Sequence, residues 1–156
     1  VGLNQAMLAN ELIKVINYDP KITKETINLL TSETPVSTVF NLVDAAFSGS
    51  IGRAMKLYDE QRAQKVEPQA IHGMLVWQMH VVAMCVAAGD RPAHELASEA
   101  KLNPFVVEKS QRIARDMGRK KVEDFLTLLR DIDYKSKHQT YDYDEALRHA
   151  LSTLAV

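Results

Sequence analysis

A run of twenty-one residues without one charged side chain, Pro68 to Ala88 (PQAIHGMLVWQMHVVAMCVAA), limits what this chain can become. Fifteen of the twenty-one are apolar. As a helix rising about 1.5 Å per residue, the run makes a rod of about 30 Å. Ala70, Met74, Trp77, Val81, Met84 and Ala88 share one stripe at helical spacing. A second apolar stripe, Ile71, Leu75, Val82 and Cys85, lies about 100° away. Pro68 suits a first helical position, where its missing N–H costs nothing. Gly89 can end the helix with a left-handed residue. Such a helix must be covered by protein or by lipid. Its length permits a membrane span. Against that, His72, Gln78 and His80 sit at its middle, no basic cluster flanks it closely, and the rest of the chain is amphipathic. The expectation is a buried helix of a bundle.

Nineteen basic residues stand against twenty acidic ones, a balance that argues against a dedicated nucleic-acid binder. The 156 residues suffice for one compact domain and a fragment of a second, with no need of disulfide or metal. The single cysteine, Cys85, sits inside the apolar run, which points to a packing role in a reducing, cytoplasmic setting. No apolar stretch follows a basic N-terminus as in a signal peptide, and a chain opening at Val1 reads as a piece of something longer.

Taken in order, Leu8, Leu12, Val15 and Ile16 give a first helix an apolar face, and Asp19-Pro20 ends it. Thr23 is the expected N-cap of a short helix to Leu30, with Ile27 and Leu30 inward. Thr31 to Pro35 reads as a linker and the chain's main boundary. Val39, Phe40, Leu42, Val43, Ala46 and Phe47 follow as the next helix, which Ser48-Gly49 ends. Ser50 is placed to cap another that buries Ile51, Ala54, Met55 and Tyr58. After the 68–88 run come a short helix over 92–100, a turn at Leu102-Asn103-Pro104, and a helix over 104–117. Gly118 marks a break or kink before a helix to about His138. Asp142 with Glu145 makes a capping-box-like start for a last helix. No period-two run or Asn-Gly turn occurs, so the fold class is all-α.

Little in the chain suggests chemistry. Gly49-Ser-Ile-Gly-Arg53 lacks the length and the Lys-Ser/Thr ending of a phosphate loop. His72 and His80 lie two turns apart, but no acidic residue falls between Glu67 and Asp90 to complete a metal ligand set. Asp142, Asp144 and Glu145 have neither the glycine nor the loop length of a calcium site, so they read as capping and helix-dipole residues. No catalytic, cofactor or metal residue is assigned. One charge feature stands out: Lys109, Arg112, Arg115, Arg119, Lys120 and Lys121 fall within thirteen positions. A solvated face with Glu108–Arg112 and Asp116–Lys120 pairs explains it, and so does a weak patch for DNA or an acidic partner.

Several segments together resemble the C-terminal part of the delta subunit of bacterial DNA polymerase III, in the sliding-clamp loader. They are Val39-Phe-Asn-Leu-Val-Asp-Ala45, the small-residue break Ser48–Ser50, the charged segment Arg53–Leu57 and Glu67-Pro68 before the apolar run. Leu102-Asn-Pro-Phe-Val-Val107, Asp133-Tyr-Lys-Ser-Lys137 and the Leu-rich terminal helix continue the order. The resemblance implies that residues 1–35 end an AAA+-like helical lid, a two-helix remnant. It implies that residues 36–156 are a helical collar domain, a bundle through which clamp-loader subunits form a ring during DNA replication. Partners would be the gamma/tau and delta-prime subunits, in a holoenzyme that is a DNA-directed DNA polymerase. The family lacks ATPase function of its own, and its clamp-opening element sits in an N-terminal module outside this sequence. No activity and no sliding-clamp contact is therefore assigned to any residue here.

A third stripe on the 68–88 run, Gly73, Val76, His80, Ala83 and Ala87, is small or weakly polar and permits close helix approach. It is covered either by another helix of this chain or by a neighbouring subunit. Two readings from other classes stand beside the assembly domain. One is a helical nucleic-acid binder using the 109–121 run, which requires a patch continuous in space. The other is a small enzyme using His72, His80 or His94 as acid or base, which requires a polar cleft.

Overall fold

The computed structural model describes residues 5–30 and 35–154, and these form helices with no strand among them. The helices are α1 (Gln5–Tyr18), α2 (Lys24–Leu30), α3 (Pro35–Phe47), α4 (Ile51–Ala63), α5 (Pro68–Ala88), α6 (Ala93–Ala100), α7 (Pro104–His138) and α8 (Tyr143–Thr153). The chain divides into two compact units at Thr38, a few residues beyond the Thr31–Pro35 boundary read from the sequence. Thr31 to Thr34 of that linker lie outside the described residues.

In the first unit α1 packs on α2. Thr23 does cap α2: its hydroxyl accepts from Thr26 N at 3.2 Å, and Thr26 Oγ1 accepts from Thr23 N at 2.9 Å. The reciprocal pair works as a capping box with threonine in the place of glutamate. Val15 is buried, but Leu8, Leu12, Ile16 and Ile27, expected inward, are all exposed.

The described part of α3 that belongs to the second unit lies deep in its core: Val39, Phe40, Leu42, Val43, Ala45 and Ala46 are all at most 2% exposed, and Asn41 and Asp44 are half-buried. Two of the polar positions on α3, Asn41 and Asp44, stand three apart and share a face. Both meet α7: Lys109 Nζ lies 3.5 Å from Asn41 Oδ1, and Arg112 Nη2 donates to Asp44 Oδ2 at 3.0 Å. Around this core α5 packs along α7, α6 packs on α7, and α8 packs on α4, α5 and α7.

The 68–88 run is the expected helix, with Pro68 in its first turn and Gly89 at φ 63° closing it. It is not the enclosed centre, however. The side turned to the core carries Ile71, Leu75, Gln78, Val82 and Cys85, the second of the two stripes. Most of the first stripe lies at the margin: Val81 is buried, but Trp77 and Ala70 are exposed. A helix apolar on every side carries no internal signal of which side faces in, and the neighbours decide.

Gly118 lies at φ 69° and ψ 164° inside α7, a backbone that only glycine adopts without strain, so α7 is two helices joined at one residue. The ends of the other helices follow local chemistry. Asp142 Oδ1 accepts from Glu145 N at 3.0 Å, the cap that its spacing to Glu145 predicts, and at the turn before α7 Asn103 Oδ1 accepts from Phe105 N at 2.9 Å, a cap the sequence analysis did not name. Ser50 stands at the N-cap of α4, but its hydroxyl makes no bond to the helix and instead accepts from Ser48 at 3.4 Å.

Candidate subunit interface

The third stripe lies at the edge of the core, with Val76 and Ala83 packed partly against it. Gly73, His80 and Ala87 are exposed, and Val76 and Ala83 are half-buried. Among the described residues of the second unit, no helix covers the exposed three. Because α5 has no charged residue at all, this outer arc, with Trp77 and Met84 beside it, is a solvent-facing helix surface without a formal charge. Such a surface is unusual for a bundle helix, whose outer face is normally charged. Gly73 has a helical backbone, and a Cβ built on it would meet nothing within 4 Å. Packing within this chain therefore does not require a glycine there, although glycine in a helix costs about 1 kcal/mol against alanine.

Along one side the arc falls into a groove between α5 and the second half of α7, about 590 Å³ in volume. Val76, Leu126 and Leu129 supply its apolar surface, and His72, His80, Arg130 and Asp133 its polar groups. The charges are already matched within the chain: Arg130 Nη2 to Asp131 at 2.8 Å, and Lys137 Nζ to Asp133 at 2.7 Å. Further along the same helix an exposed Tyr134 ring stacks on His138, centroids 4.1 Å apart.

The wall of the groove is set by His72. Its Nε2 lies 3.0 Å from Leu129 O, and its ring meets Tyr143 edge-on at 5.5 Å, so one buried imidazole ties α5 to α7 and α8. A carbonyl only accepts, so Nε2 carries the proton in this contact. Burial lowers the His72 pKa from its ordinary 6.5, against smaller opposing effects of Leu129 O and Asp133. The sign follows: the unfolded chain takes up a proton first, so stability is complete above pH 6.5 and falls as pH drops below it. The slope reaches at most about 1.4 kcal/mol per pH unit and ends at the lowered pKa. Urea unfolding from pH 7.5 to 5 is expected to show this loss in the wild type and a shallower one in His72→Gln. Equal slopes in the two proteins would remove His72 from the account.

The six cations of the 109–121 run are not brought onto one face. Lys109 is half-buried, its ammonium 5.3 Å from the Phe40 ring centroid and 5.8 Å from that of Phe105. Arg112 pairs with Asp44 across to α3, not with Glu108 within its own helix. Past the Gly118 joint, Arg119 lies 3.8 Å from Glu123, and Arg115 and Arg119 line a cleft at the end of α5 with Asp90. Lys121 lines another cleft, with Asp124 and the end of α8, and Lys120 is exposed. The Asp116–Lys120 pair would have had to span the joint, where the helical register is interrupted.

The remaining candidates are accounted for by packing. His94 is exposed on α6 and does not line the groove. Cys85 is buried, its thiol pushed up by burial and 3.9 Å from Val107 O, the opposite of an activated nucleophile. Among the described residues no group of three or more His, Cys, Asp or Glu gathers as a metal site would require. Asp144 stands in the first turn of α8, as the helix-dipole reading expects, and is also the centre of a network. It accepts from Tyr58 Oη at 3.0 Å, Arg62 Nε at 2.7 Å and Arg148 Nε at 2.9 Å. Arg148 continues to Asp59 at 2.7 Å and covers the Tyr58 ring.

The described residues of the second unit are all-α, with an uncharged exposed face on α5 and no cluster of metal-ligating side chains among them. The profile of the family formed by the C-terminal domain of the DNA polymerase III delta subunit matches residues 36–154, and the chain belongs to that family. Among solved structures the chain is similar to the Bacillus subtilis DNA clamp loader delta protein, with a TM-score of 0.87 at 18% identity. The match covers 97% of this chain and 46% of that one, so the chain spans less than half the length of that relative. No curated protein matches the sequence.

Proposed function

We propose that residues 36–156 are a non-catalytic collar domain of a clamp-loader delta subunit, joining it to its neighbours in the ring that loads the sliding clamp during DNA replication. Residues 1–35 belong, on this reading, to the end of a lid domain. The partners are the collar domains of the gamma/tau and delta-prime subunits, in the cytoplasm. The sliding clamp is contacted by the N-terminal module and not by this segment. The observation that carries the reading is the uncharged outer arc of α5 in a chain of this family. Interface centres are depleted of charge in the same way. The scattered arrangement of the 109–121 cations gives no comparable support to a nucleic-acid interface, where phosphates need a continuous basic track.

The test places a charge on the exposed arc. Ala87→Glu in the full-length protein is expected to unfold within about 0.5 kcal/mol of the wild type, because position 87 is at the surface. Its binding to the partner subunits is expected to fall more than tenfold, since the carboxylate is buried unpaired in the complex. Wild-type assembly by the folded variant would exclude this face, and binding of the sliding clamp by residues 36–156 would undo the division of labour.

A further inference from the structure

We propose that docking of a neighbouring subunit on the outer face of α5 is linked to protons through His80, whose imidazole is neutral when that face is covered. The inference rests on the assembly reading above. Three side chains of α5 can titrate; His72 and Cys85 are buried on the core side, and His80 alone stands on the exposed arc. Covering the arc therefore takes one ionisable group out of water, among neighbours on α5 (Gly73, Val76, Ala83, Ala87) that offer no counter-charge.

The groups facing His80 across the groove do not supply one either. On α7 they are Thr127, Arg130 and Asp133, with Leu126 and Leu129 between. Arg130 is itself a cation, already paired with Asp131 at 2.8 Å. The Asp133 carboxylate is held by Lys137 at 2.7 Å, which also keeps its pKa below the ordinary value. On the other side of the groove, His72 is bonded to Leu129 O and backed by Tyr143 of α8, neither of them anionic there. A covered imidazolium would be a charge without a partner from this chain, and such a charge is costly. A neutral ring can be covered with one N–H given to a backbone carbonyl, the arrangement His72 already makes one pocket wall away.

An imidazole titrates near about pH 6.5 in water, so the linkage falls where it can be measured. The experiment is the affinity of the full-length protein for its clamp-loader partners at pH 5.5, 6.5 and 7.5. Circular dichroism at each pH confirms that the proteins are folded. Binding is expected to be weaker at pH 5.5 than at 7.5, by about tenfold, the order of effect of displacing a single proton on docking. Titration calorimetry in buffers of different ionisation heat should show net proton release on binding at pH 6. In His80→Gln both the pH dependence and the proton release are expected to shrink, while His72→Gln leaves the proton release in place. Equal wild-type affinity at all three pH values, tighter binding at acid pH, or an undiminished dependence in His80→Gln would overturn the proton linkage and leave assembly standing. Absence of binding at every pH would overturn the assembly reading instead.

Discussion

Phe40→Ala is expected to cost about 3–5 kcal/mol of folding stability, the range of a large aromatic deleted from a closed core. Phe40 is 2% exposed on α3, with Val39, Leu42 and Val43 at or below that value around it. A side chain this deep in the core leaves no direction from which neighbours can move in to fill the void. The same ring holds the Lys109 ammonium at 5.3 Å, so its removal also takes away a cation–π contact across to α7. Phe40→Leu keeps most of the volume and is expected to lose about 1.5 kcal/mol or less. Urea unfolding of the wild type and both variants measures the difference. A loss below about 1.5 kcal/mol for Phe40→Ala would mean that α3 is not the closed centre that its burial describes.

That centre is the point where sequence and structure part most clearly. The 39–47 segment was legible as a helix, because its apolar residues recur at helical spacing. Its enclosure was not, since Asn41 and Asp44 imitate the polar side of a surface helix. Lys109 and Arg112, 68 residues away in each case, come to meet them. No local pattern encodes that meeting. The 68–88 run shows the reverse. Its helix and both ends followed from Pro68, Gly89 and the lack of charge, yet with apolar residues all round, the core-facing side was open until α7 chose it. Features held by neighbours in sequence were readable: the Thr23 and Asp142 caps and the Gly118 joint. For the candidate interface, the stripe from Gly73 to Ala87 was visible as small residues, but its exposure depends on how α5 packs on helices distant in sequence. The groove beside it could not be seen at all, because Arg130 and Asp133 reach it from a different helix.

The Asp144 network was hidden for the same reason, and it carries the second large effect. Asp144→Ala is expected to destabilise the chain by about 2–3 kcal/mol, although the carboxylate is 32% exposed and lies in a helix's first turn. The cost arises mainly at its partner. Tyr58 is fully buried, and burial together with the Asp144 hydrogen bond pushes its phenol well above the ordinary value, so it remains an O–H donor. Without Asp144 that donor has lost its acceptor inside the core. Arg62 and Arg148 suffer less, since they keep Val66 O and Asp59 as partners. Asp144→Asn preserves an acceptor for Tyr58 and loses the charge, and about half the effect is expected. Burial by itself would raise the Asp144 pKa, but hydrogen bonds from Arg148 and Tyr58 outweigh it and hold the carboxyl below 3.8. Its share of stability is therefore complete above that pH and is lost as pH falls through the lowered pKa. Near neutral pH, a double-mutant cycle of Tyr58→Phe with Asp144→Ala separates this account from a general loss of α8 packing. A shared hydrogen bond gives a coupling of about 1 kcal/mol, whereas strictly additive losses would mean that Tyr58 and Asp144 stabilise the α4–α8 contact independently.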